Sequence, residues 1–592
     1  MQIRSSYLVK IARLLVLTFL VGRVGFVAYN ATLGGHGIVD IITYELFGFW
    51  QDVETTLYLL TPFALVTLMA CLWRRLPLRW VLVPYALAMG VVVGAVVVFD
   101  AIMYRYWQFK LGSVMLAYAA SPEGATNSVS PWYIAAVVGS ALSLSLVVGV
   151  LSIRFTPRYI EDVRREGKLS AFVLAVAMLS AIFYDGGMVF KPSRSLFANH
   201  AATNPVYNFC RSFHVGTPVA KRFHTMEQSA CDSLVSELYL QQADEQTDTL
   251  LRTSRPDILL VMMESFGGQF VKELGGYPEV APNLSRLIQE GVWWENYYSS
   301  SFRTDRGTVS LLSGTLPLPD VCLMKETQYH DRLASLPRSL QRAGYRTLSL
   351  MGQPMTNMGK GTYLQNMGLQ TLDYTAFTPE ERQAAWGAHD DVSAQKAVQL
   401  MAQKDSAEHL FLFYQTISSH EPWDVPYNRL ENPVLNAFAY TDAAIGAMVD
   451  SLKQLPVWDN LLIIILPDHG YLYKQTYETP EFFHAPMLWT GGAIRQPRKM
   501  DVLMNQSDVA ATLLAQLALP YTAFRWSRNV LGSGYTKPFV YSNYPAGMMW
   551  KDASGATIYE LDADRPILQT TDDGGVRLKK AQAVLQASYE EL

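Results

Sequence analysis

Charge is scarce in this chain: only 17% of its 592 residues are Asp, Glu, Lys or Arg, while half are hydrophobic. So low a charged fraction is unusual for a soluble protein of this length. The formal net charge of −4 comes without a basic stripe, so there is no electrostatic footprint for nucleic acid. Cysteine is scarcer still. The four cysteines form no CxxC pair and no Cys/His cluster, which excludes a structural zinc site of the usual kind. Cys71 lies in an apolar run, leaving Cys210, Cys231 and Cys322, among which a Cys210–Cys231 disulfide is open. No internal repeat is present.

What the chain has in excess is apolar sequence before residue 190. Five segments approach the roughly 20 residues that a bilayer span needs: 7–29, 55–73, 80–102, 132–153 and 170–184. Lys10, Arg13 and Arg23 interrupt the first, and the last is short. No small-residue cleavage site closes the first segment, which predicts a span rather than a signal peptide.

Cytoplasmic loops gather Lys and Arg. Arg4 and Lys10 stand at the N-terminus, Arg74, Arg75 and Arg79 follow the second segment, and Arg154, Arg158, Arg164, Arg165 and Lys168 follow the fourth. The loop 30–55 has neither residue type. Five crossings from a cytoplasmic N-terminus put everything beyond about residue 190 on the outer face of the cytoplasmic membrane. Arg105 and Lys110 run against this rule in the expected outer loop 104–131, which is either solvated or laid on the membrane.

The pattern predicts four parts: a five-span membrane domain (1–189), a helical connector (190–255), an α/β catalytic domain (256–545) and a small C-terminal β/α element (546–592). In the third, apolar runs at 258–263, 347–351, 410–415, 461–466 and 487–490 read as strands. Helices are expected near 282–290, 336–343, 436–454 and 507–517, and one in the connector at 227–242. Alternation of the two predicts an α/β sandwich with a central, mostly parallel sheet. Short strands at 557–561 and 576–578 and a C-terminal helix are expected in the last part.

Two of the buried-type strands end in polar ligand residues, Glu264 after 258–263 and Asp468-His469 after 461–466. Parallel strands deliver such residues to one sheet edge. Two carboxylates and an imidazole suit Mn²⁺, Mg²⁺ or Zn²⁺, and Thr304 in SSSFRTDRGTVSLLSG offers a hydroxyl that a metal could turn into a nucleophile. His484 approaches the site or a second ion, or is buried and hydrogen-bonded. Arg303 and Arg306 flank the threonine, one supporting the site and the other pairing with Asp305. Asp508 reads as a helix N-terminal group, and Trp293-Trp294 as packing.

The stretch AYTDAAIGAMVDSLKQLPVWDNLLIIILPDHG, residues 439–470, resembles the segment before the metal-binding Asp-His of the sulfatase-type branch of the alkaline phosphatase superfamily. With five spans, a strand ending in Glu-Ser and a threonine nucleophile, the chain most resembles the lipoteichoic acid synthase-like phosphoglycerol transferases. That resemblance implies Glu264, Thr304, Asp468 and His469 as ligands of one Mn²⁺ or Mg²⁺ ion, with Zn²⁺ as an alternative, and Thr304 as the nucleophile. It implies that His420 in TISSHEPW contacts the substrate phosphate and that Lys360 in TNMGKGTY stands where the synthases carry a phosphate-gripping arginine, with Arg303 assisting. Thr304 and His420 would be catalytic, and Lys360, Arg303 and His420 would bind substrate.

The expected partners are a membrane phospholipid donor and a glycan, glycolipid or polymer acceptor. The departures are Thr304-Asp305-Arg306-Gly307 in place of a Ser/Ala-Asp-Ser-Glu continuation, and a lysine, a point charge, in place of an arginine fork. No Cys/Ser-x-Pro-x-Arg frame surrounds residue 304, which disfavours sulfate-ester hydrolysis by the aldehyde mechanism. The alternatives are a sulfatase-like phosphodiesterase or sulfuric ester hydrolase, and a phosphoethanolamine transferase, whose usual outer-domain disulfides the few cysteines do not favour.

Overall fold

The computed structural model describes residues 6–34, 36–113, 129–183, 193–213, 218–240, 246–355, 359–561 and 563–592. They form two compact units, one mainly of residues before 217 and one mainly of residues after.

The first unit is helical. Among the described residues four helices are long and apolar enough to cross a membrane: Tyr7–Tyr29, Ile38–Leu72, Leu78–Trp107 and Pro131–Phe155. Large apolar side chains on them face outward, Leu142 and Leu146 among them, the reverse of a water-soluble helix. These features suggest membrane anchoring. The second helix begins at Ile38, well before the expected 55, and passes through a π-helical turn at Thr43–Phe47. Asp40, Glu45, Asp52 and Glu54 lower the hydropathy of that stretch without breaking its helix.

The fifth expected span is a helix, Val163–Phe183, but is not one of the four. Arg164, Arg165, Glu166 and Lys168 fill its first two turns, and the apolar remainder, 169–183, falls short of the roughly 20 residues a span needs. Tyr184 and residues 114–128 of the expected outer loop lie outside the described residues.

Small residues let two of the helices meet closely. A Cβ at Gly94 would stand 2.3 Å from the Ser145 nitrogen, and one at Gly90 would stand 2.6 Å from the Ser145 carbonyl. Two buried ion pairs stand in this unit, Arg23 with Asp52 and Lys110 with Asp100. Asn204 Nδ2 donates to Asp52 Oδ1 (2.8 Å) and the Leu111 N–H to Asp100 Oδ1 (2.9 Å). The Cys210–Cys231 disulfide does not form; all four cysteines are free, and Cys231 Sγ instead lies 3.3 Å from the Ala583 carbonyl.

The second unit is an α/β sandwich. Its strands in chain order are β1 (Asp257–Met263), β2 (Val292–Trp294), β3 (Tyr297–Tyr298), β4 (Tyr345–Met351), β5 (Gln370–Leu372), β6 (His409–Gln415), β7 (Leu461–Pro467), β8 (Met487–Thr490), β9 (Arg498–Met500) and β10 (Met504–Asn505). Eight make the central sheet, in the order β5-β4-β6-β1-β7-β8-β2-β9. The five from β5 to β7 run parallel, whereas β8 is antiparallel to both its neighbours. Each of the five expected strands is present, and the near-continuous apolar runs of β1 and β7 are buried along their whole length, as central parallel strands must be.

The expected helices are Pro282–Ile288, Leu336–Arg342, Pro433–Leu452 and Asp508–Gln516, with Gln228–Leu238 preceding the sheet. The long one starts at 433 because Asn432 caps it, accepting from the N–H groups of Val434 and Leu435, with Pro433 in the first turn.

Toward the C-terminus, β11 (Phe539–Tyr544), β12 (Gly547–Asp552) and β13 (Gly555–Glu560) are neighbours in a second sheet, β13 containing most of the expected 557–561 strand. The expected strand at 576–578 is absent. Those residues open the helix Val576–Glu590, because Asp573 accepts from the Arg577 N–H at 2.7 Å and so starts a helical turn.

Candidate active site

β1 and β7 are hydrogen-bonded in register, Met263 opposite Pro467. The next residue on each strand is Glu264 or Asp468, so both carboxylates leave the sheet at one level, and His469 follows. One ligand atom from each of Glu264, Asp468 and His469 lies within 4.8 Å of the others, and all three residues are buried.

Thr304 arrives from a different element. It is the first residue of the helix Thr304–Ser313, entered from an extended Arg303. Thr304 Oγ1 stands 3.3 Å from both carboxylate oxygens of Glu264 and 3.4 Å from His469 Nε2. The helix is seated by Gly307, where a Cβ would fall 2.2 Å from the Asp468 carbonyl oxygen.

The ligand atoms are held from behind. Asp468 Oδ1 accepts from the N–H groups of Ser265 (2.7 Å) and His469 (2.8 Å). Ser265 reaches its position through a left-handed backbone, φ 58°, unusual for a residue with a side chain. His469 Nδ1 lies 2.6 Å from the Gly470 carbonyl, which can only accept. Nδ1 therefore carries the proton, leaving the Nε2 lone pair facing the cluster. Asp468 Oδ2 is buried and accepts no hydrogen bond among the described residues.

Electrostatics point the same way. Burial drives the Asp468 carboxyl up to about 6, and the neighbouring Glu264 adds to the rise. Burial opposes ionisation of Glu264 too, but His420, His469 and Lys360 outweigh it and hold that carboxyl below its ordinary value. Two buried carboxylates, an unprotonated imidazole nitrogen and an unpartnered oxygen make a donor set that fits a divalent cation.

Lys360, first residue of the helix Lys360–Asn366, is buried in this site. Its Nζ donates to Gln415 Oε1 (3.0 Å), and Gln415 Nε2 donates to Glu264 Oε2 (3.2 Å). Burial lowers the Lys360 ammonium pKa, while Glu264, Asp468 and Asp305 resist the change. Residues 356–358, its upstream context, lie outside the described residues. His420, after β6, is close enough for its charge to bear on Glu264.

Arg306 turns away from the cluster. Its guanidinium stacks on Phe302, donates to the Leu318 carbonyl and pairs with Asp305 at 3.3 Å. Burial works against an ionised Asp305, but Arg306, Arg303 and Lys325 together hold its carboxyl well below the usual range.

Three singled-out groups sit elsewhere. His484 is half-buried and stacked on Tyr298 with Nε2 2.7 Å from the Glu295 carbonyl, nearer the hydrogen-bonded alternative. Asp508 opens its helix and is held by Arg528 through two hydrogen bonds, at 2.9 and 2.6 Å. Trp293 and Trp294 are buried in β2. The sequence reading passed over Gln415, Ser265 and Gln506, whose Nε2 donates to the Pro467 and Asp468 carbonyls. Gln415 had a signal, being a polar residue that ends an apolar strand as Glu264 does.

Comparison with known proteins places this unit. Residues 256–519 match the Sulfatase family model. An N-acetylglucosamine-6-O-sulfatase of Bacteroides thetaiotaomicron is 21% identical over 177 residues, 29% of this chain and 32% of that protein, so the chain spans about a third of the relative's length. An alkaline phosphatase superfamily protein of Vibrio parahaemolyticus superposes with a TM-score of 0.55 at 22% identity, covering 62% of this chain and 97% of that one. The lipoteichoic acid synthase LtaP of Listeria monocytogenes gives 0.49 at 16% identity, covering 60% and 97%. The central sheet and the Glu264, Asp468 and His469 cluster both lie within the stretch that matches the Sulfatase family model.

Proposed function

We propose that the chain is a membrane-anchored, metal-dependent transferase that moves a phosphoglycerol-type group from a lipid donor to a glycan or polymer acceptor. The observation that carries this reading is the placement of Thr304 Oγ1 at the head of its helix, within 3.4 Å of Glu264 and His469. Glu264, Asp468, His469 and Thr304 hold the cation, Mn²⁺ or Mg²⁺ before Zn²⁺. When bound, it lowers the pKa of the Thr304 hydroxyl and balances charge on the phosphoryl oxygens.

Thr304 Oγ1 attacks phosphorus, its proton passes to water, and the bond to the lipid alcohol breaks as His420 protonates the departing oxygen. Lys360 and Arg303 hold the phosphoryl oxygens. An acceptor hydroxyl then attacks the phospho-threonine and gives its proton to His420, the bond from phosphorus to Thr304 Oγ1 breaks, and Oγ1 takes a proton back from water. A threonine rather than a cysteine or serine at this position supports phosphoryl over aldehyde-based sulfuryl chemistry.

The loop charges support an N-terminus inside, five crossings if Val163–Phe183 inserts, and a catalytic unit facing outward, where lipid headgroups lie. The boundaries 1–189, 190–255, 256–545 and 546–592 belong to this reading. Hydrolysis, with water as acceptor, is the second reading, favoured by the sulfatase among the relatives.

The full chain, reconstituted in vesicles containing phosphatidylglycerol with Mn²⁺, would be digested and its Thr304 peptide weighed. A glycerol-phosphate adduct absent from Thr304→Ala is expected. A phosphoethanolamine adduct in mixed-lipid vesicles would change the donor but keep the mechanism. Bound metal without any adduct would sink the transferase reading.

A further inference from the structure

His420 is held by its own neighbour in sequence. Its Nδ1 lies 3.2 Å from the Glu421 carboxylate Oε2 and 3.1 Å from the Glu421 carbonyl oxygen. Both are acceptors, so Nδ1 is the protonated nitrogen. The other ring nitrogen, Nε2, is left to exchange protons, as a group that serves departing and incoming oxygens must.

The carboxylate is itself fixed. Tyr471 donates its hydroxyl to Glu421 Oε1 at 2.7 Å, so Oε2 is the oxygen presented to His420. Tyr471 follows His469-Gly470, which ties this support to the strand end that carries the ligand cluster. On the other side, Trp386 Nε1 donates to the Glu421 carbonyl at 2.7 Å, while its ring packs edge-on against the imidazole with centroids 4.8 Å apart. The His420 and Glu421 side chains keep 29% and 22% of their surface exposed. They are anchored, yet open to a substrate.

We propose that Glu421 is a positioning residue that acts through His420, forming with it a carboxylate–imidazole pair clamped by Tyr471 and Trp386. A carboxylate on one ring nitrogen fixes the ring's orientation and tautomer and stabilises the imidazolium formed when the other nitrogen takes a proton. The inference rests on the proton-transfer role given to His420 above.

Two measurements on the full chain separate the pair from that role. The first is Mn²⁺-dependent cleavage of bis(4-nitrophenyl) phosphate by wild type, Glu421→Ala, Glu421→Gln, His420→Gln and the double variant His420→Gln/Glu421→Ala. Glu421→Ala is expected to lower kcat about ten- to a hundredfold, with KM changed by less than about threefold. Glu421→Gln, whose amide oxygen still accepts from Nδ1–H but brings no charge to stabilise the imidazolium, is expected to fall between wild type and Glu421→Ala. In the His420→Gln background Glu421→Ala should cost nothing further. Unchanged kcat in Glu421→Ala, or losses that multiply in the double variant, would overturn the pairing.

The second measurement needs no turnover. In ¹⁵N-histidine-labelled protein in nanodiscs, the signals lost in His420→Gln belong to His420. A slowly exchanging Nδ1–H proton in wild type and Glu421→Gln, lost to exchange in Glu421→Ala, is expected. Its persistence in Glu421→Ala overturns the pair even if the wild type turns over. If the wild type cleaves nothing and the proton behaves as expected, the pair stands and the phosphoryl reading fails on that substrate.

Discussion

The helical unit and the Glu264–Asp468 cluster of the second unit bury charge in different ways. In the helical unit each carboxylate of Asp52 and Asp100 meets a cation and a further hydrogen-bond donor. In the second unit Glu264 and Asp468 face one another, and Asp468 Oδ2, with His469 Nε2 3.4 Å away, accepts no hydrogen bond among the described residues. Burying an ion is costly unless its charge is answered, so two buried carboxylates that face one another suit a cation in a way that a closed ion pair does not. The lesson is that burial alone does not mark a site; the sign of the residual charge does.

The sharpest break in that contrast is chemical. Thr304→Ala should leave metal binding largely in place and reduce turnover about 10⁴-fold or more, checked by kcat on a phosphodiester alongside metal content. Next come the carboxylates themselves. Asp468→Asn should lose most of the bound metal by elemental analysis, whereas Asp52→Asn should keep it and instead destabilise the fold by about 3–5 kcal/mol, read as a lower Tm. Equal metal loss in both variants would erase the distinction.

Metal removal sharpens the comparison through pH. With the Asp468 carboxyl raised to about 6 in the fold, against an ordinary 3.8, the metal-free fold binds the extra proton between those values. Its stability therefore falls as pH rises from about 4 to 6, and the whole penalty is present above that. Chelation should lower Tm more at pH 7 than at pH 5; thermal scans with and without chelator would show the reverse order if the pair is wrongly assigned. The smallest effect is expected at His484, where His484→Gln should cost about 1 kcal/mol and leave metal content unchanged.

Much of the catalytic unit was legible because its information is local. Continuous apolar runs stand for strands covered on both faces, and the ligand residues follow them directly, so Glu264 and Asp468-His469 could be read before any contact was known. Gln415 escaped because a neutral amide at a strand end carries no sign, although it links Lys360 to Glu264. Val576-Arg577-Leu578 was misread because three residues cannot display a helical period, and the capping bond from Asp573 is visible only in three dimensions. β11 and β12 were missed because Ser542, Asn543 and Pro545 break an otherwise aromatic and methionine-rich pattern with turn-type residues. In the helical unit, hydropathy placed the helices but misjudged two ends, since charged residues interrupt a hydropathy window without interrupting a helix.

Gly307 sets a depth. With its missing side chain facing the Asp468 carbonyl, the helix headed by Thr304 comes to rest directly on the strand end that carries Asp468 and His469. The separation between the Thr304 hydroxyl and that strand end is thus written in the absence of one carbon atom, and drift at that single position would move the hydroxyl away from Glu264 and His469 without touching any of the three.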